Sequence, residues 1–202
     1  MATKPGERRL QILQTLAEML EAPKGEKITT ATLASRLACS EAALYRHFAS
    51  KAQMFEGLIE FIEQSLFSVI NQITSEESEG LKQIELIIAL LLRFAQRNRG
   101  MTRVLIGDAL VNEHERLQAR ITALLDKIEA AMKQALRIAA TQENLKSDAD
   151  FGALANLLRC YAVGRWEQYA RSGFSREPLG QWPQQWPMLY FACQSQAGPG
   201  GT

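Results

Sequence analysis

The chain of 202 residues is 47% hydrophobic, 22% charged and 7% aromatic, a balance that suits a globular chain with a sizeable core and excludes intrinsic disorder. Its formal charge of +1 names no partner, but residues 1–55 carry eight Lys and Arg against five Asp and Glu, and the rest carry fifteen against seventeen, so a basic head precedes a slightly acidic body. Cys39, Cys160 and Cys193 are odd in number and lack C-x-x-C spacing, no apolar stretch opens the chain, and the longest apolar run, Leu86 to Leu92, is too short to cross a bilayer; a disulfide framework, a zinc finger, secretion and membrane insertion are therefore not expected, and a reducing cytoplasm is.

From the start, the segments between turn signals follow a helical period. Over residues 8–22, Leu10, Leu13, Leu16, Ala17 and Leu20 share one face, and Pro23 and Gly25 end that helix. A hydroxyl at Thr29 or Thr30 can cap a helix over 31–37, Ala38-Cys39-Ser40 forms a short turn, and Ser40 offers an oxygen to the amides of a helix at 41–47. Ser50 does the same for a long helix over 51–74, which a polar stretch from Ser75 to Gly80 interrupts. Further helices are predicted at 80–97, 101–112, 114–144 and 148–172, joined at Asn98-Arg99-Gly100, Asn112 and Lys146-Ser147-Asp148. In the last segment, 182–194, Pro183 suits a first turn whereas Pro187 removes a hydrogen bond and should kink the helix. Residues 195–202 are expected to fray. No strand-like alternation and no repeat is present, so the fold class is all-α, with a helix-turn-helix domain over 1–52, a helical regulatory and dimerisation domain over 53–194 and a disordered tail beyond.

Chemistry concentrates in the head. Two short helices joined by a three-residue turn, behind a supporting helix, make a helix-turn-helix. Ala34 is small enough for the helices to touch, and Leu33, Leu37, Leu44 and Phe48 supply apolar anchors. In the second helix, Ala42 and Ala43 permit close approach to a base edge or thymine methyl. Thr29, Thr30, Ser40, Tyr45, Arg46, His47 and Lys51 stand around them as hydroxyls and donors, suited mostly to phosphates. Arg8 and Arg9 either reach a phosphate or solvate a helix start. Tyr45 and His47, taken alone, read equally well as the polar end of a surface helix.

The run Ile28-Thr-Thr-Ala-Thr-Leu-Ala-Ser-Arg-Leu37, followed by Ser40-Glu-Ala-Ala-Leu-Tyr-Arg-His-Phe48 and Lys51, resembles the DNA-binding domain of the TetR family of regulators. The resemblance implies that Tyr45, His47 and Lys51 touch the DNA backbone. One departure is Ala38, where the family's turn usually carries Gly; an Ala there at positive φ costs roughly 1 kcal/mol.

Outside the head, Met54-Phe55, Leu58 to Glu63, Ser65-Leu66, Arg97-Asn98, Gly100, Thr102-Arg103 and Arg116-Leu117-Gln118-x-Arg120-Ile121 are similar to the nucleoid-occlusion factors within that family. That resemblance implies a homodimer bound to palindromic double-stranded DNA. In the bound state it engages the C-terminal tail of FtsZ, the tubulin-like division protein, and antagonises its polymers. It implies a cytoplasmic, nucleoid-associated protein without cofactor, with Phe61, Ser65, Leu90, Arg93, Arg97 and Asn98 at the FtsZ-facing surface. From the residues alone, Phe61 and Leu90 read more readily as core, and Arg97 as a solvated cation. The family's last two helices form a dimer interface, to which Phe151, Leu154, Leu158, Tyr161, Trp182, Trp186 and Leu189 are assigned; the competing expectation is that these stripes pack within one chain. Pairing would set two recognition helices about 34–36 Å apart.

A transcriptional repressor released by a small molecule is the alternative function, and needs an apolar pocket among the helices of 80–172. An enzyme is not expected. His114-Glu115 opens like an H-E-x-x-H helix, but position 118 is Gln, so no metal site is assigned. No P-loop, G-x-S-x-G or G-x-G-x-x-G pattern occurs. Glu113 and Glu115 read as a solvated helix face, and Cys160 as a packed thiol.

Overall fold

The computed structural model describes residues 5–22, 28–111, 113–142 and 150–194. The expected turn at Pro23 to Gly25, the joins at Asn112 and Lys146 to Asp148, and the tail over 195–202 lie outside the described residues.

Among the described residues the regular structure is helical. The order is α1 (Pro5–Leu20), α2 (Thr30–Arg36), α3 (Glu41–Tyr45), α4 (Lys51–Glu76), α5 (Gly80–Arg97), α6 (Arg99–Leu105), a 3-10 turn (Asp108–Leu110), α7 (Arg116–Thr141), α8 (Phe151–Arg171) and α9 (Trp182–Gln194). The cap predicted at Ser50 is in place, and Asp150 supplies one that was not predicted. Ser50 Oγ accepts from the Gln53 amide at 3.2 Å. Asp150 Oδ1 accepts from the amides of Gly152 and Ala153 at 2.9 and 3.0 Å, starting α8, and these two donors hold its carboxyl below the ordinary carboxylate range.

One expectation is corrected. The helix expected over 101–112 starts at Arg99 and stops at Leu105. Gly107 adopts φ 80°, its amide bonds back to Val104 O, and the chain continues as the 3-10 turn. A left-handed residue after the last turn is a common helix end, and Gly bears it without strain. α9 spans the 182–194 expected of it, with Pro187 inside; the proline ring removes the donor that the Pro183 carbonyl would have used.

The chain forms two compact units. One unit comprises the described residues up to Gln64 together with Asn98–Thr122; the other comprises Ser65–Arg97 and the described residues from Ala123 onward. The first unit gathers α1 to α3, the start of α4, α6, the 3-10 turn and the start of α7. Its core holds Ile12, Leu16, Leu33, Leu44, Phe48, Phe55, Leu58 and Leu105. α6 joins this unit because Gly100 lets its backbone lie directly on Ala17 of α1. The Arg103 guanidinium then closes the end of α1, with Nη1 donating to Leu20 O and Ala22 O at 3.2 and 3.0 Å. In the second unit α5 packs on α8. Two buried aromatics of α8 tie the pair through polar atoms: Trp166 Nε1 donates to Leu91 O, and Tyr169 Oη to Gln96 O, each at 3.1 Å. A polar handle on a buried ring fixes register where apolar burial alone would not.

Ala38 lies at φ 49°, the left-handed region foreseen for the turn. Replacing it with Gly removes the Cβ clash there, so Ala38→Gly is expected to raise stability by about 1 kcal/mol. Urea unfolding of the two proteins side by side checks this, and an unchanged midpoint would contradict it.

Candidate nucleic-acid interface

The two helices of the motif are short, and their caps set them. Thr29 Oγ1 accepts from the Thr32 amide, and Thr32 Oγ1 accepts in return from the Thr29 amide, both at 3.1 Å. This reciprocal box satisfies two amides at the start of α2. Ser40 Oγ accepts from the Ala43 amide at 3.2 Å and starts α3. α2 packs on both α1 and α3. Leu33, Ala34, Leu37, Leu44 and Phe48 are buried between them. The inward set is the one the spacing predicts, so the outward set follows by helical geometry.

That outward set forms one surface on the first unit. Ser40, Ala42 and Arg46 are exposed, Tyr45 keeps 45% of its surface in solvent, and Thr29, Thr30, Ala43, His47 and Lys51 are half-buried. The nine residues expected to meet DNA are thus brought together around α3 and the starts of α2 and α4. Besides the capping hydroxyls of Thr29 and Ser40, two side chains already have partners. Thr30 Oγ1 donates to the Glu41 carboxylate, and Lys51 pairs with Glu113. Arg8 and Arg9 are also engaged, in ways neither sequence reading foresaw. Arg8 Nη2 donates to Leu37 O at 3.3 Å, and the Arg9 guanidinium lies 4.4 Å from the Phe48 ring centroid. Both brace α1 against the motif.

The residues assigned to FtsZ fall in both units. Phe61 is half-buried on α4 and borders a cavity of about 380 Å³ between α1 and α4, with Arg9, Leu10, Leu13, Gly57 and Glu60. Ser65 follows one turn later on the same helix, half-buried. Leu90, Arg93 and Arg97 follow one another at helical spacing on α5, Leu90 half-buried and both arginines exposed. Asn98 is the N-cap residue of α6, and its carbonyl accepts from the Thr102 amide and hydroxyl, each at 2.9 Å.

The residues assigned to the dimer interface differ in their burial within the single chain. Leu154 and Leu158 each keep only 1% exposure within the single chain, on the stripe of α8 that also buries Ala162, Trp166 and Tyr169. They belong to the core of their unit and have no surface to offer a second copy. Phe151, Tyr161, Trp182, Trp186 and Leu189 are half-buried. Tyr161, Trp182, Trp186 and Tyr190 form a ladder of rings, with successive centroids 6.2, 5.3 and 5.8 Å apart. The exposed apolar side chains of these helices are Leu157 on α8 and Met188 and Phe191 on α9, the last two at 68%. Such a stripe has the same spacing whether it packs within one chain or against a second.

Three further residues escaped the sequence reading. Gly100 permits the α1–α6 contact. Glu113, read as part of a solvated face, pairs with a side chain 62 positions away. Arg165 is buried beneath the α8–α9 connection. No local pattern marks them, because each acts on a part of the chain distant in sequence or on a loop with no periodicity.

Residues 16–58 match the family described as bacterial regulatory proteins, tetR family, and residues 78–194 match the family described as tetracyclin repressor-like, C-terminal domain (SlmA-like). Among curated proteins, the chain is 51% identical over 185 residues to the nucleoid occlusion factor SlmA of Alteromonas mediterranea, covering 92% of this chain and 95% of that one. It is 52% identical over 190 residues to the nucleoid occlusion factor SlmA of Shewanella oneidensis, covering 94% and 96%. Among solved structures, a TetR transcription regulator from Haloarcula marismortui superposes with a TM-score of 0.78 at 15% identity over 93% of this chain and 98% of that one. A TetR-family transcriptional regulator from Agrobacterium tumefaciens superposes with a TM-score of 0.76 at 16% identity over 92% and 97%; these two likenesses speak for the fold. The helix-turn-helix head, the helical body and identities near one half over almost the whole length agree: this chain belongs to the TetR family and, within it, to the SlmA group.

Proposed function

We propose that this chain is a DNA-activated nucleoid-occlusion factor. A homodimer binds palindromic chromosomal sites through its two helix-turn-helix heads. In that state it binds the C-terminal tail of FtsZ and antagonises FtsZ polymers, so that no division ring forms over the chromosome. The observation that carries the reading is the identity of about one half, spread over nearly the full length of both chains, with proteins that bear the name nucleoid occlusion factor.

The residues give the reading its chemistry. Tyr45, His47 and Lys51 supply a hydroxyl, an imidazole and an ammonium for phosphates, and Ala42 and Ala43 let the backbone of α3 approach base edges. With few long side chains on α3, much of the affinity comes from the backbone and falls steeply with salt. One short helix makes few contacts, so pairing of two protomers is part of the reading. At the FtsZ-facing surface, Phe61 and Leu90 offer apolar area, Arg93 and Arg97 offer cations for a tail's carboxylates, and Asn98 an amide for its backbone.

Arg97→Glu separates the two activities. It is expected to abolish inhibition of FtsZ polymers in a sedimentation assay while leaving affinity for a palindromic duplex within about twofold, since the substitution lies outside the α3 surface and affects it only through a screened charge. Wild-type inhibition by this variant would remove Arg97 from the surface. Release of the duplex by a small apolar ligand, with no effect of the protein on FtsZ, would point to a repressor instead.

A further inference from the structure

Lys51 differs from the other backbone-facing residues of the head because a carboxylate already holds its ammonium. Glu113 pairs with Lys51 Nζ, and the Phe55 ring centroid lies 5.6 Å from the same nitrogen. Glu113 belongs to the short stretch between the 3-10 turn and α7, where its amide donates to Leu110 O at 3.1 Å. Both side chains keep contact with water, Lys51 at 29% and Glu113 at 19% exposure, so a phosphate can reach the ammonium. Two ion pairs continue the row along α4: Arg116 Nε with Glu56 at 2.7 Å, and Arg120 Nη2 with Glu63 at 3.8 Å. The 113–120 stretch is thus held on α4 by three pairs, and the first uses a cation that DNA also needs.

We propose that Glu113 is an internal competitor of the DNA backbone for Lys51: its carboxylate occupies the ammonium in the free protein, a duplex phosphate displaces it, and docking on DNA opens the first of the three ion pairs that hold the 113–120 stretch on α4. The proposal rests on the reading of Lys51 as a phosphate contact. Glu113 is a positioning residue, acting on DNA only through Lys51. It lowers affinity for every duplex alike, because phosphates carry no sequence. It also flattens the salt dependence. A phosphate neutralised by Lys51 releases a counterion, but the freed carboxylate of Glu113 recruits a cation from solution and cancels part of that release.

The test is duplex titration of the full chain across a range of salt concentrations, with Glu113→Gln, Lys51→Gln, the double variant and Glu56→Gln. Glu113→Gln is expected to tighten binding to palindromic and unrelated duplexes alike by about two- to fivefold, the scale of a partly exposed ion pair. It is also expected to steepen the slope of log affinity against log salt by up to about 0.9, the contribution of one phosphate. Glu56→Gln removes the same charge from the neighbouring ion pair and is expected to do neither. The gain from Glu113→Gln is expected to vanish in the Lys51→Gln background. Unchanged or weaker binding by Glu113→Gln, with Lys51→Gln clearly weakened, overturns the competition and leaves the phosphate reading standing. A gain that persists without Lys51, or one matched by Glu56→Gln, overturns it as general charge repulsion. Wild-type affinity of Lys51→Gln overturns the phosphate reading itself, and the competition with it.

Discussion

Gly100→Ala is expected to destabilise the protein by about 3 kcal/mol and to loosen the head from its support. A Cβ at position 100 would lie 1.9 Å from Ala17 O and 2.9 Å from the Ala17 carbonyl carbon. Both atoms belong to the backbone of α1, so no side chain can swing aside, and α6 must move as a body. Overpacking of this kind sits at the upper end of the usual range for core insertions. Moving α6 also strains the bonds by which Arg103 closes the end of α1 and the ion pair between Arg103 Nε and Asp108, 2.6 Å. α1 in turn supports α2 and the Phe48 ring, so the orientation of α3 depends on this one missing methyl. Thermal unfolding is expected to shift down by many degrees, and duplex affinity measured at low temperature to fall as well. A variant as stable as the parent would show that α1 and α6 do not meet at Gly100.

Arg165→Leu is expected to have a comparable effect on the other unit. Arg165 is 8% exposed, and its acceptors are all neutral. Nε and Nη2 donate to Pro178 O at 3.2 and 3.1 Å, Nη2 also to Glu177 O at 3.0 Å, and Nη1 to Gln168 Oε1 and Gln181 Oε1 at 3.0 and 3.2 Å. One guanidinium thereby ties the α8–α9 connection to the middle of α8. Leucine fills part of the volume and leaves two backbone carbonyls without donors, a loss of about 2–4 kcal/mol. The start of α9 then loses its anchor, and α9 carries Met188 and Phe191, the most exposed large apolar side chains of the body. In the proposed dimer that face meets a second copy. Sedimentation of Arg165→Leu is therefore expected to show monomer where the parent shows dimer. A dimeric variant with parental stability would contradict this role.

How far the sequence could be read depended on the range of the interactions involved. The helix-turn-helix was legible in detail because its determinants are local. Thr29 and Ser40 each cap a helix that begins at the next residue, Leu33 and Leu44 define the buried faces, and only Leu37 to Ser40 separate the two helices. Ala38 was legible even as a departure, since a left-handed turn position constrains the residue type directly. α5 showed the buried stripe expected of it. The misses share a different origin. The break after Leu105 depends on a single Gly in a stretch whose apolar spacing continues past it. Leu154 and Leu158 have the spacing of an interface stripe, but are buried within the single chain. Lys51 was recognised as a cation suited to phosphate, yet its partner Glu113 lies on a stretch brought alongside α4 only by the path of α6 and the 3-10 turn.

The proposed function depends most on paired recognition helices that read one duplex together. Its direct measurement is the titration of a palindromic duplex, and of the same duplex with one half-site scrambled, followed by analytical ultracentrifugation to count protomers and by addition of a peptide corresponding to the FtsZ C-terminal tail. The expected result is two protomers bound cooperatively to the palindrome, binding to the half-site weaker by about a hundredfold or more, as loss of one of two linked contacts implies, and peptide retained by the duplex-loaded protein. Single protomers that bind both duplexes with equal strength, and ignore the peptide in either state, would contradict it.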